Sequence, residues 1–292
     1  MQGTFIFMKM KIMHRPIHSH RSPRLRPLVL ALAAALPLLS ASVQAQSFTP
    51  LGDLAGGIFE SVANGVSADG SVVVGQGAIA IGFEAFRWTQ AGGMVGLGDL
   101  AGGGFQSYAY GVSADGSVVV GASESANGME AFRWTQAGGM VGLGDLAGGI
   151  FYGAALGVSA NGSVVVGFGT SASGTEAFRW TQAGGMVGLG DLAGGNFRSV
   201  AYGTSADGSV VVGYGTSASG REAFRWTQAG GMQRVADWLS AAGVTVAAGY
   251  TMSEATGVSA DGSVVVGFST GPDGEEAFIA RVSSIGSGAV TL

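Results

Sequence analysis

From residue 63 onward the apolar and polar positions fall into short extended runs separated by turn signals. Ala63-Asn64-Gly65-Val66-Ser67 reads as a brief strand, and Asp69-Gly70 as a two-residue type I′ hairpin turn. Ser71–Val74 carries three β-branched, apolar valines in a row, the pattern of a strand buried on both faces. A Gly/Ser-rich loop follows. Glu84-Ala85-Phe86-Arg87-Trp88 then predicts a third strand, with Phe86 and Trp88 on one face and Ala85 and Arg87 on the other. Ala91–Gly93 turns the chain, and Met94–Leu97 predicts a fourth strand.

The same pattern then repeats. The Asp or Asn of the phrase GVSADGSVVVG falls at 69, 115, 161, 207 and 261, and the Phe of EAFRW at 86, 132, 178, 224 and 278. The Asp of LGDLAGG falls at 53, 99, 145 and 191, with Asp237 as a degenerate fifth copy. The step is 46 residues, widened to 54 before the last unit by an insertion between Asp237 and Gly257. Four short strands in such a period are the content of one propeller blade. The fold class predicted is all-β, a five-bladed β-propeller of 46-residue, four-stranded repeats. The array opens on Leu51-Gly52-Asp53-Leu54 and ends on Ala277-Phe278-Ile279-Ala280, so the first phrase is expected to supply the missing strand of the last blade and close the ring. The alternative is a β-solenoid of two coils per unit, which needs no Asp-Gly hairpin and calls for atypical capping units.

The insertion has another period. Met232, Val235, Leu239 and Ala242 stand at helical spacing, with Gly243 as a stop, so a short helix is expected in the last repeat. The N-terminus differs again. A basic region from Lys9 to Arg26, an apolar run from Leu28 to Leu39 and the small-residue pattern Val43-Gln44-Ala45 read as a cleaved signal peptide. The apolar run is shorter than the ~20 residues of a membrane span. The expected organisation is a signal peptide at 1–45, the propeller at 46–281 and a loose tail at 282–292, in a protein destined for the periplasm, cell surface or extracellular space.

Composition then narrows the chemistry. All three His and both Lys lie in the leader, and there is no Cys. Beyond residue 45, eight arginines face nineteen acidic residues, a formal net charge of −11. Such a surface repels nucleic acid and anionic lipid. The mature chain lacks the groups for a Ser-His-Asp triad, a thiol nucleophile, a Schiff base or an ordinary zinc site. No catalytic, cofactor or metal residue is predicted, and no transmembrane segment in the mature chain. In the third copy Asn161 replaces the turn Asp, a change that a hairpin tolerates and that weakens a calcium site built on the carboxylate. The recurring Glu84/Arg87-type pair is expected to form one ion pair per blade, with Arg87 reaching a neighbouring LGDL aspartate. The Phe and Trp of EAFRW are expected to pack between blades.

Variation among the copies marks the candidate ligand contacts. The loops 76–81, 122–127 and 168–173 differ, as do Glu60, Gln106, Tyr152 and Arg198 at one equivalent position. Loops on a rigid scaffold are where binding concentrates. The partner expected is an extracellular glycan or protein. A carboxylate-based, glycosidase-like hydrolase acting in the propeller funnel is the alternative.

The repeated LGDLAGG, GVSADGSVVVG and EAFRWTQAGGM, with DWLSAAGV, resemble the bacterial HAF extracellular repeat family across nearly all of Leu51 to Arg281. The family's H-A-F triplet reads Glu-Ala-Phe here. The resemblance implies export, often as the passenger of an autotransporter, and implies no catalytic residues. No run of alternating ten-residue strands precedes Leu292, so a short secreted or periplasmic member, or a truncated passenger, is expected.

Overall fold

The computed structural model describes residues 46–283, so the signal-peptide segment 1–45 and most of the expected tail lie outside the described residues. Every strand among the described residues lies within the unit Thr49–Leu292. The first blade comprises β1 (Ser61–Val66), β2 (Val72–Ile79), β3 (Gly82–Thr89) and β4 (Gly93–Gly96). The second comprises β5 (Gly102–Val112), β6 (Val118–Ser125), β7 (Gly128–Thr135) and β8 (Gly139–Gly142). The third holds β9 (Ala154–Val158), β10 (Val164–Ser171), β11 (Gly174–Thr181) and β12 (Gly185–Gly188). The fourth holds β13 (Gly194–Thr204), β14 (Val210–Ser217), β15 (Gly220–Thr227) and β16 (Gly231–Arg234). After α1 (Val235–Ala241) come β17 (Thr251–Val258), β18 (Val264–Gly271) and β19 (Gly274–Arg281). Each blade is an antiparallel meander in chain order.

Successive blades are set as a fan. The first strands β1, β5, β9, β13 and β17 pack beside one another in turn, while the fourth strands pack chiefly on their own third strands. Solenoid coils would stack evenly along their whole length. Convergence at the first strand and divergence at the fourth is propeller geometry.

The core lies between blades. Val72, Val74 and Ala85 of the first blade meet Ala109, Val119, Phe132 and Trp134 of the second, with Leu97 and Leu100 of the linker beneath. The next two interfaces repeat this set one unit on, and the fourth adds Val235 and Leu239 of α1. Phe86, Phe132, Phe178 and Phe224 are almost wholly buried. The valine run is buried on both faces, as its uniform apolarity requires: Val118, Val119 and Val120 are all excluded from water.

The turn of the opening phrase differs from the expected two-residue hairpin. Gly70 N–H bonds to Ser67 C=O at 3.0 Å and Ser67 N–H to Val72 C=O at 2.9 Å, so the loop spans Ser67–Ser71 and Gly70 closes it at φ +72°. The extra residues leave Ala68 N–H free to bond Ala114 C=O of the next blade at 3.0 Å. Ala114, Ala160 and Ala206 repeat the bond to Ala160, Ala206 and Ala260. The turns therefore form a hydrogen-bonded rail from blade to blade. Within each turn Asp69 Oδ1 accepts from Ser67 and Ser71, and Asn161 Oδ1 takes the same bonds from Ser159 and Ser163.

The expected Arg–Asp pairing is not made. Arg87, Arg133 and Arg179 each donate Nε–H to the turn glycine carbonyl of the following blade, at 3.1–3.3 Å. Glu84, Glu130 and Glu176 accept the linker N–H of Gly98, Gly144 and Gly190. Both charged groups satisfy backbone that the linker and turn would otherwise bury unpaired. The predicted ring closure is also not made. The fifth sheet has three strands, residues 46–54 hold no strand, and the free edge of β19 has no fourth-strand partner among the described residues.

Candidate functional site

Every first strand carries a bulge at the same place. Ala109 pairs with Gly121 and Gly111 with Val120, so Tyr110 between them is the extra residue. Asn64, Leu156, Tyr202 and Thr256 occupy that position in the other blades. The last glycine of GVSADGSVVVG makes this packing possible. A Cβ on Gly75, Gly121, Gly167, Gly213 or Gly267 would collide with the carbonyl oxygen of Val62, Tyr108, Ala154, Val200 or Glu254 across the strand pair. A bulge re-aims side chains that a regular strand would alternate. The alanine before it (Ala109, Ala155, Ala201, Ala255) is wholly buried. The bulged residue and its neighbour carry the variation instead.

Around these positions, side chains of the first strands and of neighbouring strands assemble two aromatic groups. In the first, Tyr108 and Tyr110 lie parallel at 6.5 Å, Phe83 lies 6.2 Å from Tyr108, and Tyr152 lies 5.9 Å from Phe168. Tyr108, Tyr110, Met129, Tyr152, Leu156 and Phe168 line an open cavity of about 160 Å³ spanning the second and third blades. In the second group, Tyr202 and Tyr214 are 6.0 Å apart. The Arg221 guanidinium sits 3.6 Å over the Tyr214 ring, donates to Tyr202 Oη at 3.3 Å and pairs with Glu254 of the fifth blade at 2.9 Å. Arg198 approaches the same ring at 5.9 Å.

Burial pushes the Tyr202 hydroxyl up to about 12; Glu254 adds to the shift and Arg221 opposes it. Burial also raises Tyr110, with Tyr108 and Tyr152 adding to it. Both phenols therefore stay neutral and present a hydroxyl donor on the edge of an apolar ring.

Three of the four predicted residues fall in this region. Gln106 accepts the Tyr108 hydroxyl at 2.9 Å, Tyr152 is 51% exposed against Phe168, and Arg198 flanks Tyr214. Glu60 is exposed and joins neither group: its N–H bonds to Asp53 and its C=O accepts from Ala78. Gln106 and Arg198 lie within β5 and β13 rather than on loops. The expected variable loops are mostly strand as well, since β2, β6 and β10 run to Ile79, Ser125 and Ser171. Phe168 opens the variable loop 168–173, whereas Tyr108, Tyr110, Tyr202, Tyr214, Arg221 and Glu254 were not singled out by sequence. For Tyr108, Tyr110, Tyr202 and Glu254 the signal is an aromatic or charged residue beside a constant alanine in the aligned copies, such as Tyr108-Ala109-Tyr110 against Val62-Ala63-Asn64.

Acidic groups near a cleft of about 490 Å³ between the fourth blade and α1 are already engaged. Asp191 accepts backbone N–H groups of Arg198 and Thr216, and Asp237 accepts two bonds from Arg234. The buried Glu222 accepts the Ser217 hydroxyl and faces Arg234 at 3.6 Å. Among the described residues no three His, Cys, Asp or Glu side chains are grouped to hold a metal, and no helix is long and apolar enough to cross a membrane.

No protein-family model and no curated relative matches the sequence. Solved structures with a similar fold include a putative TolB from Agrobacterium tumefaciens, 14% identical, with a TM-score of 0.47 and 76% of each chain covered. TolB from Acinetobacter baumannii is 12% identical with a TM-score of 0.49; the match covers 76% of this chain and 52% of that one. An oligogalacturonate lyase in complex with manganese is 13% identical with a TM-score of 0.45, covering 73% and 60%.

Proposed function

We propose that the chain is an exported, non-enzymatic binding or display module, passenger-like in its repeats, that holds an extracellular glycan on the aromatic groups gathered around the bulges of its first strands. One observation carries the reading. Copies that agree almost letter for letter in their framework diverge in and around the first-strand bulges, where Tyr108, Tyr110, Tyr152 and Tyr202 stand among Gln106, Arg221 and Glu254, with Arg198 and Arg221 over the buried Tyr214. Tyrosine faces stack on the apolar faces of sugar rings, and the hydroxyl, guanidinium and carboxylate rims supply hydrogen bonds to ring hydroxyls. Structural repeats alone give no reason for these positions to vary.

The test is a glycan and matrix-protein array probed with the wild-type protein and with Tyr110→Ala, Tyr152→Ala and Arg221→Ala. A selective glycan signal weakened about tenfold or more by these changes is expected, since aromatic and arginine anchors at interfaces are worth more than ~1 kcal/mol each. A signal indifferent to all three overturns the reading. Substrate turnover abolished by Asp191→Asn or Asp237→Asn alone would instead establish the hydrolase.

A further inference from the structure

The contact between neighbouring blades occurs four times with the same parts. One side presents a valine pair and the alanine of EAFRW, such as Val118, Val120 and Ala131. The other presents the first-strand alanine, the middle valine and the Phe, such as Ala155, Val165 and Phe178. Both alanines are fully buried in every copy: Ala85 with Ala109, Ala131 with Ala155, Ala177 with Ala201, Ala223 with Ala255.

At the two ends of the array each half stands open. On the last blade Ala277 is exposed, and so are Val266 at 40%, Phe268 at 50% and Ile279 at 61%. Their counterparts Ala223, Val212 and Tyr214 are buried. On the first blade Ala63 is exposed and Val66 is 60% exposed, and Val73 is less buried than Val119, Val165, Val211 and Val265. The turn rail is open in the same sense. Ala260 N–H, which in the other turns bonds forward, and Ala68 C=O, which in the others accepts, have no backbone partner among the described residues. The free edge of β19 adds a third unmet half.

We infer that a second copy of this chain docks its first blade onto the last blade of its neighbour, head to tail. The two faces are the matching halves of an interface the chain already builds four times, with an unpaired donor at one end and the corresponding acceptor at the other. Both faces are exposed together, so the chain's own first blade does not cover its last. The two patches differ, so the association is heterologous and extends to a ring or a filament. Ile279 stands where the other blades carry an arginine, and its apolar side chain replaces the bond to the incoming turn glycine with packing.

The native chain has no cysteine, which permits a direct trap. Turn alanines joined by N–H···O bonds of 2.9–3.0 Å lie close enough for a disulfide between substituted cysteines. Ala68→Cys and Ala260→Cys proteins, mixed and oxidised, are expected to give at least about tenfold more covalent dimer than either alone. The double variant is expected to give a ladder of covalent multimers. A double variant that instead locks as a disulfide-closed monomer, or a mixture no more productive than its parts, overturns the inference. Light scattering supplies the independent check. The mass of the wild type should rise with concentration and that of Ile279→Asp should stay monomeric, a change at an exposed position that leaves the fold intact. A wild type that is monomeric throughout overturns the inference equally.

Discussion

Replacing Phe178 and Phe268 by alanine separates an inter-blade core from one held inside single sheets. Phe178 has no exposed surface and packs among Val118, Val120, Ala131, Leu143, Ala155 and Val165, most of them contributed by the preceding blade and its linker. Removing a wholly buried Phe forfeits its transfer free energy and leaves a cavity that rigid neighbours do not fill, about 3–5 kcal/mol together. Phe268 lies on the outward face of the last blade and is 50% exposed. There the transfer term is about half of the ~1.5–3 kcal/mol for full burial, and solvent fills the space vacated, so about 1 kcal/mol is lost. The expected gap is ~2–4 kcal/mol. At a urea dependence of about 3 kcal/mol per M, the Phe178→Ala midpoint falls roughly 1 M below that of Phe268→Ala. Urea titration followed by tryptophan fluorescence, at low protein concentration, reads this directly. Equal midpoints for the two variants would refute the placement of the core between blades.

Gly121→Ala is expected to cost about 3 kcal/mol, the upper end for overpacking, because its Cβ meets the Tyr108 carbonyl in a pleat that cannot give way; thermal unfolding should show it, and an unchanged midpoint would remove the bulge argument. The turn aspartates give a pH signature. Asp69 is held at about 2 chiefly by the Ser71 N–H, and Asp115, Asp207 and Asp261 at about 2 chiefly by the preceding serine hydroxyl. Against an unfolded value near 3.9, their contribution is complete above about pH 4 and is lost as pH falls towards 2. Asn at all four positions, which Asn161 already shows to be compatible with the turn, should flatten the fall in thermal midpoint between pH 4 and pH 2. An equally steep fall would assign the acid sensitivity to other groups.

The period, the strand types and the helix were legible in the sequence because each is a local property of the chain. Three β-branched valines in a row, the alternation of Phe86 and Trp88 with Ala85 and Arg87, and the helical spacing of Val235 and Leu239 before Gly243 all specify elements through near neighbours; Met232, read with the helix, instead belongs to β16. The fate of long-range partners was not local and was decided only by tertiary structure. Arg87 seeks the carbonyl at Gly116 rather than an aspartate because the neighbouring turn buries that carbonyl beside it. Tyr110 became a candidate ligand contact only once a bulge, permitted by the bare Cα of Gly121, placed it among rings from adjoining strands. Closure of the ring was expected because the array opens on a fourth-strand phrase at residues 51–54 and ends on a third-strand phrase at 277–280. The order of phrases states which strands could pair; only the placement of all five sheets decides whether they do, and here the last sheet keeps three strands and both end faces are exposed.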